Sequence, residues 1–186
     1  MRAKTWGKYC ARRAWAAVAV VLVGVIGTTA NAESIEEPEQ VSFTGTYVLD
    51  EEASDDIEEA FEPVIQQMSG IKRPFARRAV RRRGGPDQQL RIVQFSDQVI
   101  IEAREDSVVE VPLNGEAVER ENGSGDIEEV SARLEDGVLS TRTVRDEGEY
   151  TTRYRLRSDG RLEVSLRIAF DQLPGPVDLN LVYEPE

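Results

Sequence analysis

A cluster of basic residues between positions 72 and 83 is the feature of this sequence best suited to chemistry. Seven of these twelve residues are lysine or arginine, and at helical spacing four of the arginines fall on one side. A guanidinium group binds two oxygens of a phosphate or carboxylate at once, so a basic helix of this kind suits an anion or a lipid head group. The predicted binding residues are Arg73, Arg77, Arg78 and Arg81.

The same cluster also has a purely structural interpretation. Cations near the C-terminal end of a helix stabilise its dipole, and seven of them beside an acidic barrel would also pair with it internally. Apolar residues occupy the opposite side of the predicted helix, which makes the segment amphipathic. These residues are Ile71, Phe75, Ala76, Ala79 and Val80. Internal pairing and contact with an anionic membrane surface both stay open on sequence alone.

The absence of histidine limits the catalytic and metal-binding mechanisms that the chain could use. The 186 residues contain no histidine and a single cysteine, Cys10. This composition excludes a Ser-His-Asp triad, an imidazole metal site and a disulfide framework. The 35 acidic residues show no spacing typical of a calcium-binding loop, so we expect no metal, no cofactor and no catalytic residue. A carboxylate pair on neighbouring strands would still permit acid–base catalysis.

The first 32 residues have the three parts of a secretory signal peptide in order. A basic segment is followed by the apolar run Ala14 to Ile26 and by the A-x-A site Ala30-Asn31-Ala32. This run is shorter than the roughly 20 residues that cross a bilayer. We therefore expect cleavage after Ala32 and export to the periplasm or beyond. Cys10 precedes the apolar run, so the sequence does not predict a lipoprotein.

Removal of this segment makes the charge distribution more extreme. The whole chain has 23 basic and 35 acidic residues, for a net charge of −12, and all 35 acids follow Ala32. With five cations removed, 18 remain and the net charge becomes −17. Outside the basic cluster it is −24. An exported chain of this charge is poorly suited to nucleic acid, so we expect no nucleic-acid partner.

The elements that must position these residues are mainly strands. We expect a disordered lead-in over 33–40 and a single domain over 41–186, with a helical insertion at about 54–83 after the first strand. Alternating apolar and polar residues then indicate one strand after another, with a loop or weak strand over Glu119 to Asp126. About eight antiparallel strands in a meander would best protect their edges by closing into a barrel.

Three turn dipeptides indicate hairpins between these strands. They are Asn114-Gly115, Asp136-Gly137 and Asp159-Gly160. The strand at Arg161–Phe170 shows the clearest alternation, with apolar residues on one side and mainly polar residues on the other. One face of the sheet is therefore predicted to cover a core while the other meets water.

The first strand gives the chain a resemblance to a known group. Its sequence Phe43-Thr44-Gly45-Thr46-Tyr47-Val48-Leu49-Asp50 resembles the G-x-W signature of lipocalin-like barrels, with Tyr47 where tryptophan is usual. With the Asp-Gly hairpins and the closing Leu181-Val182-Tyr183, the chain is similar to lipocalin-like exported bacterial β-barrel proteins of unknown function. Lipocalin-like barrels commonly hold a small apolar ligand, and the resemblance implies such a ligand here. Eight-stranded barrels can equally be filled by their own side chains.

These observations predict an exported, non-enzymatic binding protein for a small apolar or amphiphilic ligand, or for an anionic lipid surface. Two alternatives come from other functional classes. One is an envelope structural or interaction protein that acts through its surface charge. The other is an enzyme that uses carboxylates.

Overall fold

The computed structural model describes residues 41–83, 85–104, 107–122 and 125–186. The predicted signal peptide over 1–32 and the lead-in over 33–40 lie outside the described residues. The elements in chain order are β1 (Gly45–Leu49), α1 (Ile57–Gln67), α2 (Arg73–Arg83), β2 (Gln89–Gln94), β3 (Gln98–Arg104), β4 (Ser107–Pro112), β5 (Val118–Glu121), β6 (Ile127–Glu135), β7 (Val138–Arg145), β8 (Gly148–Leu156), β9 (Leu162–Phe170) and β10 (Val177–Pro185).

All the strands belong to one antiparallel sheet that curves into a nearly closed barrel. The first strand joins its two halves, because β1 pairs with β2 on one side and with β10 on the other. The strand order is β4-β3-β2-β1-β10-β9-β8-β7-β6-β5. This arrangement confirms the predicted antiparallel barrel with helices after its first strand.

Within the described residues the barrel has ten strands rather than about eight. One source of the difference is the polar stretch over 119–126, since β5 occupies part of it and pairs with β6. This strand is only four residues long and half of its side chains are exposed, so its alternation is too brief to stand out in the sequence.

The strands at the two ends of the sheet, β4 and β5, are not paired with each other. The expected hairpin at Asn114-Gly115 is therefore wrong, although the other two dipeptides do join paired strands. At this turn the backbone N–H of Gly115 donates to the carbonyl oxygen of Ala132 on β6, at 2.9 Å. Asn114 also forms an isolated bridge with Arg133. The chain thus crosses to β6 at this point instead of turning back on itself.

The hairpin between β6 and β7 shows why its dipeptide was informative. Both turn residues have positive φ, 50° at Asp136 and 72° at Gly137. Aspartate and glycine tolerate this region better than most residues, and a turn of this kind matches the twist of the flanking strands.

Inward-facing apolar side chains fill the end of the barrel that lies away from the helices. Phe43, Ile92, Val99 and Leu162 are all fully buried there. The inward phase of β9 and β10 follows the predicted alternation, since Leu162 and Val164 lie across from Tyr183 and Leu181. Burial of these side chains removes apolar surface from water and supplies the main driving force for the fold.

The Gly-x-Tyr sequence of β1 contributes to this packing. The Tyr47 ring lies against Gly45, where an added Cβ would come within 3.2 Å of the ring. The Tyr47 hydroxyl donates to the carbonyl oxygen of Phe43 at 3.0 Å. A side chain at position 45 would push the ring from this position, so the two residues act as a pair.

The segment just before α1 is hydrogen-bonded to β10. Asp56 caps α1, where its carboxylate accepts a hydrogen bond from the backbone N–H of Glu59 at 2.9 Å. Just before it, the carboxylate of Asp55 accepts from the N–H of Asn180 at 2.7 Å. The Ser54 hydroxyl accepts from the N–H of Val182 at 2.9 Å. Neither helix in the described part of the chain is long and apolar enough to span a bilayer.

Candidate functional site

Three of the four predicted arginines bind α1 or the turn that follows it. Arg73 donates to the carbonyl oxygens of Met68 and Gln66, at 3.0 and 2.8 Å. Arg77 forms a two-point ion pair with Glu62, with its Nε 3.0 Å from Oε2. The Nε of Arg81 lies 2.9 Å from a carboxylate oxygen of Glu58. These arginines hold the two helices together. They pair within the chain, as the structural interpretation expected, but their partners lie on α1 and the turn after it and not on the barrel.

The ion pair between Arg77 and Glu62 lowers the pKa of the Glu62 carboxyl group. Hydrogen bonds from Arg77 and Gln66, with the nearby positive charge, lower the pKa of Glu62 to about 2 from an ordinary value of 4.5. The same partner raises the pKa of Arg77. Glu62 is therefore ionised at any physiological pH and remains available to Arg77.

The fourth arginine, Arg78, lies on the side of α2 that faces solvent. We call this side the outer face of α2. It combines cations with large apolar side chains, and Ile71 and Phe75 are 82% and 72% exposed. Within the described residues, Arg78 and Arg82 have no ion-pair partner. The outer face consists of Phe75, Arg78, Ala79 and Arg82 on α2, together with Ile71 and Lys72 in the turn before it. The structure thus separates Arg78 from Arg73, Arg77 and Arg81, and binding of an anion by these four residues stays a prediction.

A cleft of about 590 Å³ lies between the helix pair and the adjacent strand connections of the barrel. Its helical walls are almost entirely apolar, and polar groups occur at only three of its thirteen lining positions. The lining residues are Ile57, Phe61, Ile65, Met68, Lys72, Phe75, Ala76, Ala79, Val80, Glu147, Phe170, Gln172 and Leu173. Apolar cavities of 300–1,000 Å³ with a few polar groups are typical of small-molecule sites.

The inward positions of the barrel near the helices hold a cluster of charged residues. The Glu128 carboxylate accepts from Arg120 Nε at 2.7 Å and from Arg145 Nε at 2.6 Å. Arg145 Nη2 also donates to the Tyr150 hydroxyl at 3.2 Å. We call Arg120, Glu128, Arg145 and Tyr150 the polar cluster. Its single carboxylate is 2% exposed and faces two guanidinium groups.

The arginines decide the ionisation state of Glu128. Burial by itself would raise the pKa of this carboxyl group, but hydrogen bonds and positive charge from Arg120 and Arg145 outweigh burial and lower it. Glu128 is therefore a permanent anion inside the barrel. Arg120 also donates from Nη1 to the carbonyl oxygen of Val108 at 2.6 Å, so it bridges the unpaired strands β5 and β4.

Strand register places the polar cluster close to Phe170, one of the residues that line the cleft. Phe170, which lines the cleft, lies opposite Gly148 on β8, and Gly148 in turn pairs with Arg145. Tyr150 is two residues further along the same face of β8, opposite Ile168. Two residues of a strand correspond to about 6.7 Å. A molecule in the cleft that extended into the barrel would therefore meet these polar groups next.

Sequence reasoning missed the polar cluster, although a signal was present. Glu128 has the same strand phase as Val130 and Ala132, and Arg145 has the same phase as Leu139. Opposite charges in the inward phase of consecutive strands indicate a buried ion pair. Tyr47, Tyr154 and Tyr183 are buried, and burial raises the pKa of Tyr154 to about 12.

No group of three or more acidic, histidine or cysteine side chains within the described residues is arranged to hold a metal ion. The one carboxylate of the polar cluster faces two cations, and these already satisfy its charge. The polar groups found here are therefore suited to hydrogen bonding and charge recognition.

Comparisons with known proteins give a fold and no family. No protein-family model matches the chain, and no curated protein matches its sequence. Among solved structures, the fatty acid-binding protein from Drosophila melanogaster brain tissue has a TM-score of 0.50 and 18% identity, over 77% of this chain and 99% of that chain. Human cRBP IV has a TM-score of 0.48 and 14% identity, over 78% and 98%.

A third solved structure is fatty-acid-binding protein 1 from Echinococcus granulosus. It has a TM-score of 0.46 and 11% identity, over 77% of this chain and 96% of that chain. At these identities the Drosophila protein establishes a similar fold and nothing more. The chain is thus a ten-stranded barrel similar in fold to lipocalin-like and fatty-acid-binding barrels.

Proposed function

We propose that this protein binds a small apolar or amphiphilic molecule in the cleft between its helices and the barrel. The cleft itself carries this proposal. Its volume and apolar walls suit a small molecule, and Lys72, Glu147 and Gln172 supply a few polar groups among the lining residues. The Drosophila protein of similar fold is a fatty-acid-binding protein, which agrees with an apolar ligand here.

The lowered pKa of Glu128 in the polar cluster supports a binding role over a carboxylate-based enzyme. A general acid needs a pKa near the working pH, and burial is the usual means of raising it. Arg120 and Arg145 instead lower the pKa of Glu128. This carboxylate therefore acts as a fixed charge and does not exchange protons near neutral pH.

A substitution that fills the cleft tests the proposal. Ala76 is half-buried and lines the cleft, so Ala76→Trp should occupy the space that a ligand needs. We expect the affinity for N-phenyl-1-naphthylamine, a neutral apolar fluorescent probe, to fall at least about tenfold, or 1.4 kcal/mol. Gln67→Trp is the matched control, because Gln67 is exposed on α1 and is absent from the cleft lining. Equal affinities in both variants, or no binding by the parent protein, would refute the proposal.

A second function is favoured by the outer face of α2. Exposed Ile71 and Phe75 beside Lys72, Arg78 and Arg82 combine apolar insertion with attraction to anionic lipid. We propose that this face contacts an anionic membrane surface. Phe75 also lines the cleft, so such a contact would place the cleft mouth at the lipid.

Vesicle flotation tests the membrane contact. The parent protein should float with liposomes that contain phosphatidylglycerol, whereas an Arg78→Ser/Arg82→Ser variant should remain unbound. Arg153→Ser/Arg155→Ser is the control, since these arginines are exposed on β8 and their loss changes the net charge equally. The Arg73→Ser/Arg77→Ser/Arg81→Ser variant then measures how far the internally paired arginines contribute. If both double variants bind as the parent does, the outer face of α2 is not the contact.

We also propose that the protein is exported with cleavage after Ala32. The order of basic segment, apolar run and A-x-A site supports this. Intact mass of the protein recovered from outside the cytoplasm of a bacterial host should correspond to a chain that begins at Glu33. Recovery of the uncleaved chain from the cytoplasm would contradict export.

A further inference from the structure

The polar cluster contains more positive than negative charges. Two guanidinium groups, from Arg120 and Arg145, face the single carboxylate of Glu128. Glu128 already engages both, through Oε1 with Arg120 and through Oε2 with Arg145. The donors that would hold an external carboxylate most tightly are therefore used by a carboxylate of the protein itself.

The position of this carboxylate gives it an advantage over any ligand anion. Glu128 is attached to β6 and is buried beside its partners, so it does not have to leave bulk water to reach them. A competing anion would lose its hydration and would have to share the two guanidinium groups with Glu128, so it would meet only one net positive charge. A neutral hydroxyl or ester group loses much less hydration free energy and does not meet a like charge.

Charges of both signs surround the cleft, since Lys72 is among its lining residues and α2 carries several arginines. Glu147 lines the cleft, and Asp146 and Asp171 are exposed in the adjacent strand connections. The whole chain also has a net charge of −12. The selection between anionic and neutral ligands is therefore assigned to Glu128 itself and not to the field at the entrance of the cleft.

We propose that Glu128 is a built-in counter-ion that makes this site select ligands with neutral head groups over ligands with carboxylate head groups. The inference rests on the proposed binding function and specifies the ligand class. The apolar part of the ligand lies in the cleft, and its neutral polar group reaches the polar cluster. There the hydroxyl of Tyr150 offers a hydrogen-bonding partner that carries no charge.

Matched ligands test this selectivity directly. We would measure displacement of N-phenyl-1-naphthylamine by 1-dodecanol and by laurate at pH 8, where laurate is ionised. The parent protein should bind 1-dodecanol at least about tenfold more tightly than laurate. Equal or tighter binding of laurate would overturn the inference. If neither displaces the bound probe, the inference also fails, whereas failure of the probe to bind removes the proposed function itself.

Two variants then assign the selectivity to Glu128. Glu128→Gln keeps the size of the side chain and frees positive charge, so laurate affinity should rise at least about tenfold relative to 1-dodecanol. Glu129→Gln is the control, because Glu129 is the exposed neighbour on the outside of β6 and has the same charge. Equal shifts in the two variants would show a general charge effect and would refute the role of Glu128.

A double variant distinguishes charge balance from altered shape. In Glu128→Gln/Arg145→Gln the cluster again has one net positive charge, so laurate should lose the affinity gained in the single variant. Retention of that gain would contradict the counter-ion mechanism. Circular dichroism and the melting temperature identify any variant that does not fold, and the ligand preference of the parent protein remains decisive in that case.

Discussion

The two ends of the barrel interior are built in different ways. Away from the helices, inward positions carry apolar side chains, and Phe43, Ile92 and Leu162 are fully buried. Near the helices, inward positions carry the charges of Glu128 and Arg145, which form an ion pair. One end excludes water by packing, while the other satisfies buried polar groups through specific partners.

A single strand shows this difference within one sequence pattern. Along β9, Leu162 and Val164 are buried, whereas Leu166, Ile168 and Phe170 keep part of their surface exposed. All five are large or branched apolar residues in the same strand phase. Their type alone thus does not determine their burial, which depends on what the opposite wall and the helices place against them. Stability should therefore be concentrated at the packed end, with binding at the helix end.

The largest expected effect comes from a matched pair of truncations on β9. Leu162→Ala should lower the free energy of unfolding by about 3 kcal/mol, because it removes a fully buried side chain and leaves a cavity. Leu166→Ala, four residues away on the same face, should cost about 1 kcal/mol, because its side chain is only partly removed from water. Urea unfolding measures both. Equal costs would mean that the two ends are equally well packed.

Much of the fold was predictable because it follows from local signals. Strand alternation, the Asp136-Gly137 and Asp159-Gly160 turns and the position of the helices between the first two strands all depend on neighbouring residues. The Asn114-Gly115 turn was interpreted wrongly for the same reason. The partner of Gly115 is the carbonyl of Ala132, which a local pattern cannot reveal.

The site was less predictable, because it depends on pairings across the fold. The spacing of the basic cluster indicated an amphipathic helix, but it did not indicate which arginines would meet acids on α1. Arg77 meets Glu62, fifteen residues away, while Arg78 points to solvent. Glu128 and its arginines come from three consecutive strands, and only the register of those strands brings them together.

The second prediction concerns the polar end. Glu128→Ala should lower the free energy of unfolding by about 2 kcal/mol. Breaking a buried pair typically costs 3–5 kcal/mol, but Arg120 and Arg145 here keep some contact with water. Because the folded state lowers the pKa of Glu128, its stabilisation is complete above the ordinary value of 4.5 and is lost as pH falls through the folded value. Unfolding curves should show the variant's deficit at pH 7 and a smaller deficit in acid.

The smallest effect should come from the helix pair, where the ions are in contact with solvent. The pKa of Glu62 is about 2 because Arg77 and Gln66 bind the ionised carboxylate. The ion pair is therefore intact above pH 4.5 and is lost as the pH falls through about 2. Carboxyl chemical shifts followed by NMR titration should report that low pKa, and Arg77→Gln should raise it towards 4.5. Stability at pH 7 should change less than in either variant above, since exposed pairs contribute little. A carboxyl group that already titrates near 4.5 in the parent protein would show that α2 is not held against α1 by this pair. Arg73 and Arg81 would then be the contacts that keep α2 against α1 and fix the orientation of its outer face.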